Sequence, residues 1–148
     1  MKSRIYHTES EEETIALGEK LAPELPASGV VLLIGQLGAG KTTLAKGIVK
    51  GLGAATPDDV SSPTFTLIHE YSPSVYHIDL YRLDTAAQVA TLGLDEIFDR
   101  RAIVLIEWGE RFPELMPENR IEIRLRADGE ESREIELRST MEAALPPN

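Results

Sequence analysis

The stretch that most restricts how this chain can fold is Gly35-Gln36-Leu37-Gly38-Ala39-Gly40-Lys41-Thr42, which matches G-x-x-x-x-G-K-[ST]. A short continuous apolar run rich in β-branched residues, Gly29-Val30-Val31-Leu32-Leu33-Ile34, precedes it. Such a run suits a strand buried on both faces, as in a parallel sheet covered by helices. The segment Thr42 to Leu52 follows and reads as a helix stopped by Gly53. Strand, glycine-rich turn and helix in that order are the context a phosphate-binding P-loop requires. Gly35, Gly38 and Gly40 admit backbone angles that a side chain forbids and leave room for an anion against the main chain. The loop N–H groups then point inward beside the positive end of the helix. In such a loop Lys41 bridges the β- and γ-phosphates and the Thr42 hydroxyl ligates Mg²⁺. The expected cofactor-binding residues are therefore Gly35, Gln36, Leu37, Gly38, Ala39, Gly40, Lys41, Thr42 and Thr43, with ATP or a near relative as the ligand.

A P-loop enzyme also needs an acid at the end of a neighbouring strand, to hold the metal or to position water. Two residues qualify. Glu107 ends a second apolar run, Ala102-Ile103-Val104-Leu105-Ile106, the pattern of a Walker B strand with Glu where Asp is commoner. Asp79 ends Val75-Tyr76-His77-Ile78. Spacing leaves open which acid touches Mg²⁺ and which activates water, and both fit a magnesium shell. The reading adopted puts Glu107 near the metal, with Thr42, and Asp79 on the catalytic side, so that Lys41, Asp79 and Glu107 form the candidate catalytic set. Thr64, in Ser62-Pro63-Thr64-Phe65, either senses γ-phosphate as switch loops do or marks an ordinary loop–strand junction. Trp108, beside Glu107, packs against the site or in the core. His7, His69 and His77 are isolated in sequence, which argues against metal ligation, and Arg82 is either phosphate-directed or a surface charge.

The rest of the chain supplies a frame for these residues. Ser10-Glu11-Glu12-Glu13 reads as a capping box opening a helix from about Glu11 to Leu21, ended by Pro23 and Pro26. Thr64 to Tyr71 and Val75 to Leu80 read as a hairpin turning at Ser72-Pro73-Ser74, and Thr85 to Phe98 as a helix broken near Gly93. Ile121, Ile123 and Leu125, then Ile135 and Leu137, alternate with charged residues about Asp128-Gly129, which predicts a C-terminal antiparallel strand pair with one wet face. No repeat or linker interrupts the sequence, so residues 1–140 read as one P-loop domain and 141–148 as a tail. The fold class is α/β.

Composition removes several function classes. Apolar residues make up 42% and charged residues 27% of 148, an ordinary single-domain balance. No apolar run approaches the roughly 18 residues that span a bilayer, and the N-terminus lacks an apolar signal core, so a cytoplasmic protein with no membrane association is expected. The absence of cysteine excludes disulfides, thiolate metal sites and a cysteine nucleophile. A net charge of −10 without any basic stripe argues against direct binding of nucleic acid.

The small-GTPase signatures N-K-x-D and D-x-x-G are missing, since the only asparagines are Asn119 and Asn148, and this favours ATP. A small-molecule kinase is the alternative; kinases of that kind need an arginine-bearing lid. Between Asp79 and Glu107 lie Arg82, Arg100 and Arg101 but no glycine-bounded insertion. A binding-only switch is a third reading.

Four blocks in order, Leu32 to Thr43, Ser61 to Phe65, His77-Ile-Asp-Leu-Tyr-Arg-Leu83 and Leu105-Ile-Glu-Trp-Gly-Glu110, together resemble the TsaE family, formerly YjeE, over about residues 5–140. These are small P-loop ATPases of bacterial tRNA threonylcarbamoyladenosine synthesis. The resemblance implies a P-loop NTPase-like mixed sheet flanked by helices, slow ATP hydrolysis, and action on a complex of the TsaB and TsaD proteins. Those partners transfer the threonylcarbamoyl group to adenosine-37 of tRNA, the ATPase resets the complex, and tRNA is reached only through them. Carried over by position, Gly38 to Thr43 grip the phosphates with Thr42 at Mg²⁺. Glu107 lies by the metal, Asp79 at the catalytic water, Ser61 to Thr64 in a switch-like loop, and Thr8 to Glu11 near adenine. Neither the P-loop nor either acid departs from the family pattern.

Overall fold

The structure, a computed structural model, describes residues 3–61 and 67–140. The chain runs β1 (Ser3–Thr8), α1 (Glu11–Leu21), β2 (Gly29–Ile34), α2 (Lys41–Gly51), β3 (Ile68–Ser72), β4 (Val75–Asp79), α3 (Ala86–Ala90), α4 (Leu94–Phe98), β5 (Ile103–Glu107), β6 (Ile121–Ala127) and β7 (Arg133–Ser139). The strands form one seven-stranded sheet in the order β1-β7-β6-β2-β5-β4-β3. Its centre is parallel, β6 and β5 flanking β2 and β4 flanking β5. Both margins are antiparallel. This is the mixed α/β sheet that the sequence predicts.

The unbroken apolar runs of β2 and β5 exist because both faces of the centre are covered. On one face Val31, Leu33, Ile103 and Leu105 pack against Leu17 and Leu21 of α1 and Leu44 and Ile48 of α2. On the other, Val30, Leu32, Val104 and Ile106 meet Val89 of α3, Leu94 and Ile97 of α4, and Phe112 and Met116. Burying each such side chain contributes about 1.5–3 kcal/mol. Toward β6 the second face opens to solvent, so buried Ile121, Ile123 and Leu125 alternate with less buried charged residues.

Several local details depart from expectation. Ser10 Oγ accepts from the Glu13 N–H at 3.1 Å, but the Glu13 carboxylate accepts from the Glu9 N–H, one residue before the cap. The break near Gly93 is found as expected: the segment from Thr85 to Phe98 is two helices, separated where Gly93 takes φ 70°. Strand β1 was not anticipated: it pairs with β7 from Ser3↔Arg138 to Thr8↔Arg133, and its mixed residues carry little apolar signal. The tail 141–148 lies outside the described residues. No helix among the described residues is long and apolar enough to cross a membrane.

The contact that places α2 is backbone against backbone. A Cβ on Gly18 would stand 2.5 Å from the Leu44 carbonyl oxygen, and one on Gly51 would stand 2.7 Å from that of Glu19. A Cβ on Gly47 would overlap the Ile15 carbonyl oxygen. Helix propensity alone favours alanine over glycine by about 1 kcal/mol. At Gly47 the overlap outweighs that gain, because overpacking a rigid contact costs about 1–3 kcal/mol or more. Chemical denaturation should therefore find Gly47→Ala less stable by about 2 kcal/mol. Gly53, at φ 74° in open space, should lose only about 1 kcal/mol on Gly53→Ala, from left-handed strain.

Candidate functional site

Parallel pairing brings the carboxyl ends of β2, β4 and β5 to one edge of the sheet. The register sets Glu107 beside Leu33 on one side and beside Asp79 on the other. The loop between β2 and α2 sits over this edge, at the point where the sheet's connections diverge to β5 and β6, the usual ligand crevice of open α/β sheets. Its glycines are required for different reasons. Gly38 (φ 81°) and Gly40 (φ 101°) are left-handed. Gly35 is held by space, because a Cβ there would lie 2.6 Å from the Leu125 carbonyl oxygen. Helix α2 begins at Lys41, and its first-turn N–H groups face the loop's concavity with the positive end of the helix dipole.

Five polar side chains, Lys41, Thr42, His77, Asp79 and Glu107, converge below the loop. Lys41 is only 5% exposed, and its Nζ donates to the Gly35 carbonyl at 2.7 Å while lying 3.4 Å from the centroid of the Trp108 ring. Burial lowers the pKa of this ammonium, and the nearby Glu107, Glu110 and Asp79 carboxylates oppose that shift. The Thr42 hydroxyl donates to Glu107 Oε2 at 3.1 Å, and His77 Nε2 reaches the same oxygen at 2.6 Å. Asp79 Oδ1 accepts from the Tyr81 N–H at 2.8 Å, and the Asp79 N–H donates to the Leu67 carbonyl at 2.9 Å. Burial raises the pKa of Glu110, against the pull of Lys41, Arg124 and Arg111.

A cavity of about 350 Å³ opens above these groups. Leu37, Gly38, Gly40, Lys41, Thr42 and Thr43 line it from the loop and α2, Asp79, Tyr81, Glu107 and Trp108 from the strand ends, and Glu11, Thr14, Glu131 and Arg133 from the far side. Gly35, Gln36 and Ala39 stand behind the lining. Their carbonyls hold Lys41 Nζ, the Ala39 N–H and Arg133 Nε respectively. The donor set suits Mg²⁺, which binds through one or two carboxylates or hydroxyls together with phosphate oxygens. Among the described residues no three His, Asp or Glu side chains cluster as a self-sufficient metal cage, so the protein alone would hold such an ion incompletely.

The structure brings together Lys41, Thr42, Asp79 and Glu107 as expected. Trp108 does both things considered for it, touching Lys41 and the Tyr81 ring (5.1 Å) while packing on the second core. Glu11 reaches the cavity, whereas Thr8 is turned inward to the Thr14 hydroxyl at 2.7 Å. Arg82 is exposed and does not line the cavity. Ser62 to Phe65, Thr64 included, lie outside the described residues. Two residues were missed. His77 had a signal, since it lies two positions before Asp79 and therefore on the same strand face. Arg133 had none: it braces the loop from β7, donating from Nε to the Ala39 carbonyl at 2.9 Å and from Nη2 to that of Gly38 at 3.3 Å. Drawing the Ala39 carbonyl toward β7 turns the Gly40 N–H, trans across the same peptide plane, the other way.

Comparison with known proteins gives one answer throughout. The family profile described as "Threonylcarbamoyl adenosine biosynthesis protein TsaE" matches residues 8–135. The tRNA threonylcarbamoyladenosine biosynthesis protein TsaE of Bacillus subtilis (strain 168) is 40% identical over 138 residues, covering 91% of this chain and 85% of that one. The protein of the same name from Nostoc sp. is 44% identical over 133 residues, covering 85% and 80%. Among solved structures, the crystal structure of Bacillus subtilis YdiB superposes with a TM-score of 0.78 at 33% identity, covering 97% of this chain and 89% of that one. The glycine-rich loop over this sheet edge thus sits in a chain that belongs to the TsaE family.

Proposed function

We propose that this chain binds ATP with Mg²⁺ on the loop Gly35–Thr43 and hydrolyses it slowly. In this reading it supports formation of the threonylcarbamoyl group on tRNA adenosine by acting on a TsaB–TsaD complex in the cytoplasm. The observation that carries the reading is the Thr42–Glu107 hydrogen bond at the head of α2, beside buried Lys41 and Asp79. Residues 1–140 act as one nucleotide-binding domain.

Each side chain has a defined task. Because the Thr42 hydroxyl gives its proton to Glu107, its oxygen lone pairs remain to face a cation. Mg²⁺, when bound, neutralises charge on the β- and γ-phosphate oxygens. Lys41, stripped of water and surrounded by carbonyl and ring, supplies a concentrated positive charge to the phosphates. Asp79, held at its carboxylate by the Tyr81 N–H and at its backbone by Leu67, is placed to orient water. The net charge of −10 supports docking on protein partners, with tRNA held by them rather than by this chain.

ATP turnover by the pure chain with Mg²⁺ should be slow and should change when the TsaB–TsaD pair is added. Lys41→Ala should weaken nucleotide binding by about 10- to 100-fold, the loss of a charged hydrogen-bond donor. Asp79→Asn should lower kcat by about 100-fold or more with little change in affinity, whereas Glu107→Gln should lower kcat as strongly and also weaken the Mg²⁺-dependent part of ATP binding, slowing hydrolysis more than binding. Wild-type turnover in both acid variants would refute these roles. A metabolite that becomes phosphorylated without protein partners would instead establish the kinase alternative.

Arg133→Ala should leave the fold intact and weaken ATP binding by about 10-fold, because the loop carbonyls lose their brace. Isothermal titration against the wild type checks this, and equal affinities would assign Arg133 to the surface.

A further inference from the structure

The acid at the end of β5 is held from two directions. Glu107 Oε2 accepts from Thr42 Oγ1 on α2 at 3.1 Å and from His77 Nε2 on β4 at 2.6 Å. His77 is fully buried, and its Nδ1 has no hydrogen-bond partner. Leaving a buried polar atom unpaired costs about 1–3 kcal/mol, and His77 Nδ1 is one of three such side-chain atoms among the described residues. Here one nitrogen is left bare while the other makes a short bond to a carboxylate that can only accept. The short bond therefore puts a hydrogen on Nε2, aimed at Glu107.

The surroundings favour this single orientation. The ring lies beside that of Tyr71, with centroids 6.3 Å apart, and His77 pairs with His69 across the β3–β4 hairpin and with Leu105 on β5. Tyr71 turns its hydroxyl elsewhere, to His69 Nδ1 at 3.2 Å and to the Ser61 backbone. Thr42 cannot fix Glu107 alone, since one hydrogen bond leaves a three-torsion side chain free to pivot about it. Two donors on one oxygen, from different elements, leave one arrangement.

We propose that His77 is a positioning residue for metal binding. Its Nε2–H holds the Glu107 carboxylate in the rotamer that engages Thr42, and so presents the Thr42 oxygen and Glu107 together to Mg²⁺. This inference rests on the Mg²⁺–ATP reading above. Groups that orient a metal's immediate ligands change affinity or activity by about 10- to 100-fold when removed.

The test uses His77→Gln, whose side-chain amide offers a donor near the Nε2 position, and His77→Leu, which fills the volume without one. ATP affinity is read from the fluorescence of Trp108, the only tryptophan, with and without Mg²⁺. Metal-free affinity should be the same in all three proteins. The tightening caused by Mg²⁺ should fall by about 10- to 100-fold in His77→Leu and be largely restored in His77→Gln. Without any nucleotide, ¹⁵N spectra of the full chain should show a hydrogen on His77 Nε2. Equal Mg²⁺ responses in wild type and His77→Leu, equal impairment of both variants, or an Nδ1–H tautomer would overturn the role alone. A wild type whose ATP affinity ignores Mg²⁺ would overturn the underlying reading as well. Should His77→Leu fail to fold, the Mg²⁺ response of His77→Gln and the tautomer decide the matter.

Discussion

Glu107 and Asp79 are carboxylates almost removed from water, 3% and 2% exposed, and their neighbours are arranged around the cost of keeping them there. An isolated carboxylate in an apolar interior is destabilising by several kcal/mol even after relaxation. The compensation is specific. Glu107 receives Thr42 and His77, Asp79 receives the Tyr81 N–H, and Lys41 lies within electrostatic range of both. Lys41 has the same difficulty with opposite sign, since burial favours its neutral form and the acids favour its charged form. None of these groups is tolerable alone at this depth. Negative groups outnumber positive ones around Lys41, with Glu110 a third acid, which is one reason a divalent cation suits the donor set.

That electrostatic set needs a rigid mount, and two contacts distant in sequence provide it. Because α1 and α2 touch through Gly18, Gly47 and Gly51, α2 cannot slide or tilt without forcing backbone into backbone. The head of α2, carrying Lys41 and Thr42, is thereby fixed over the end of β2. From the other side β6 and β7 close on the loop: the Leu125 carbonyl lies where a Gly35 side chain would be, and Arg133 binds the carbonyls of Ala39 and Gly38. The antiparallel margin of the sheet is therefore part of the support of the loop between β2 and α2 as well as a covering for α1 and α2.

The parts legible in the sequence are those encoded locally. The loop, both strand-end acids, the α3–α4 break at Gly93 and the β6–β7 pair each declare themselves within about ten residues, through glycine placement or apolar periodicity. What was not legible depends on which residues meet after folding. Arg133 reaches Ala39 across 94 positions, and no pattern around either one announces the contact. Strand β1 has a mixed sequence because, at the edge of the sheet, one of its faces is wet. His77 looked like an isolated histidine until the β4–β5 register placed it against Glu107. Gly18, Gly47 and Gly51 carry no local pattern that announces a role, although their missing Cβ atoms set the distance between α1 and α2.

Backbone strain is distributed in a way that agrees with the electrostatic argument. Among the described residues only Leu67 (φ 69°) and Trp108 (φ 68°) are left-handed without being glycine. For an ordinary L-residue each costs about 1–3 kcal/mol, so surrounding structure must over-determine both. Leu67 supplies the carbonyl that accepts the Asp79 N–H. Trp108 directly follows Glu107, and its turn swings the indole back over Lys41. The next residue, Gly109, is locked in turn, since a Cβ there would lie 2.9 Å from Met116 Sδ and 3.0 Å from Leu32 Cδ2. The turn at Trp108 is thus followed directly by a residue packed against the second core, and the indole covers the lysine from that side. Strain at two positions, each tied to one of the two buried acids, marks this edge as the place where the fold gives up stability to hold a particular geometry.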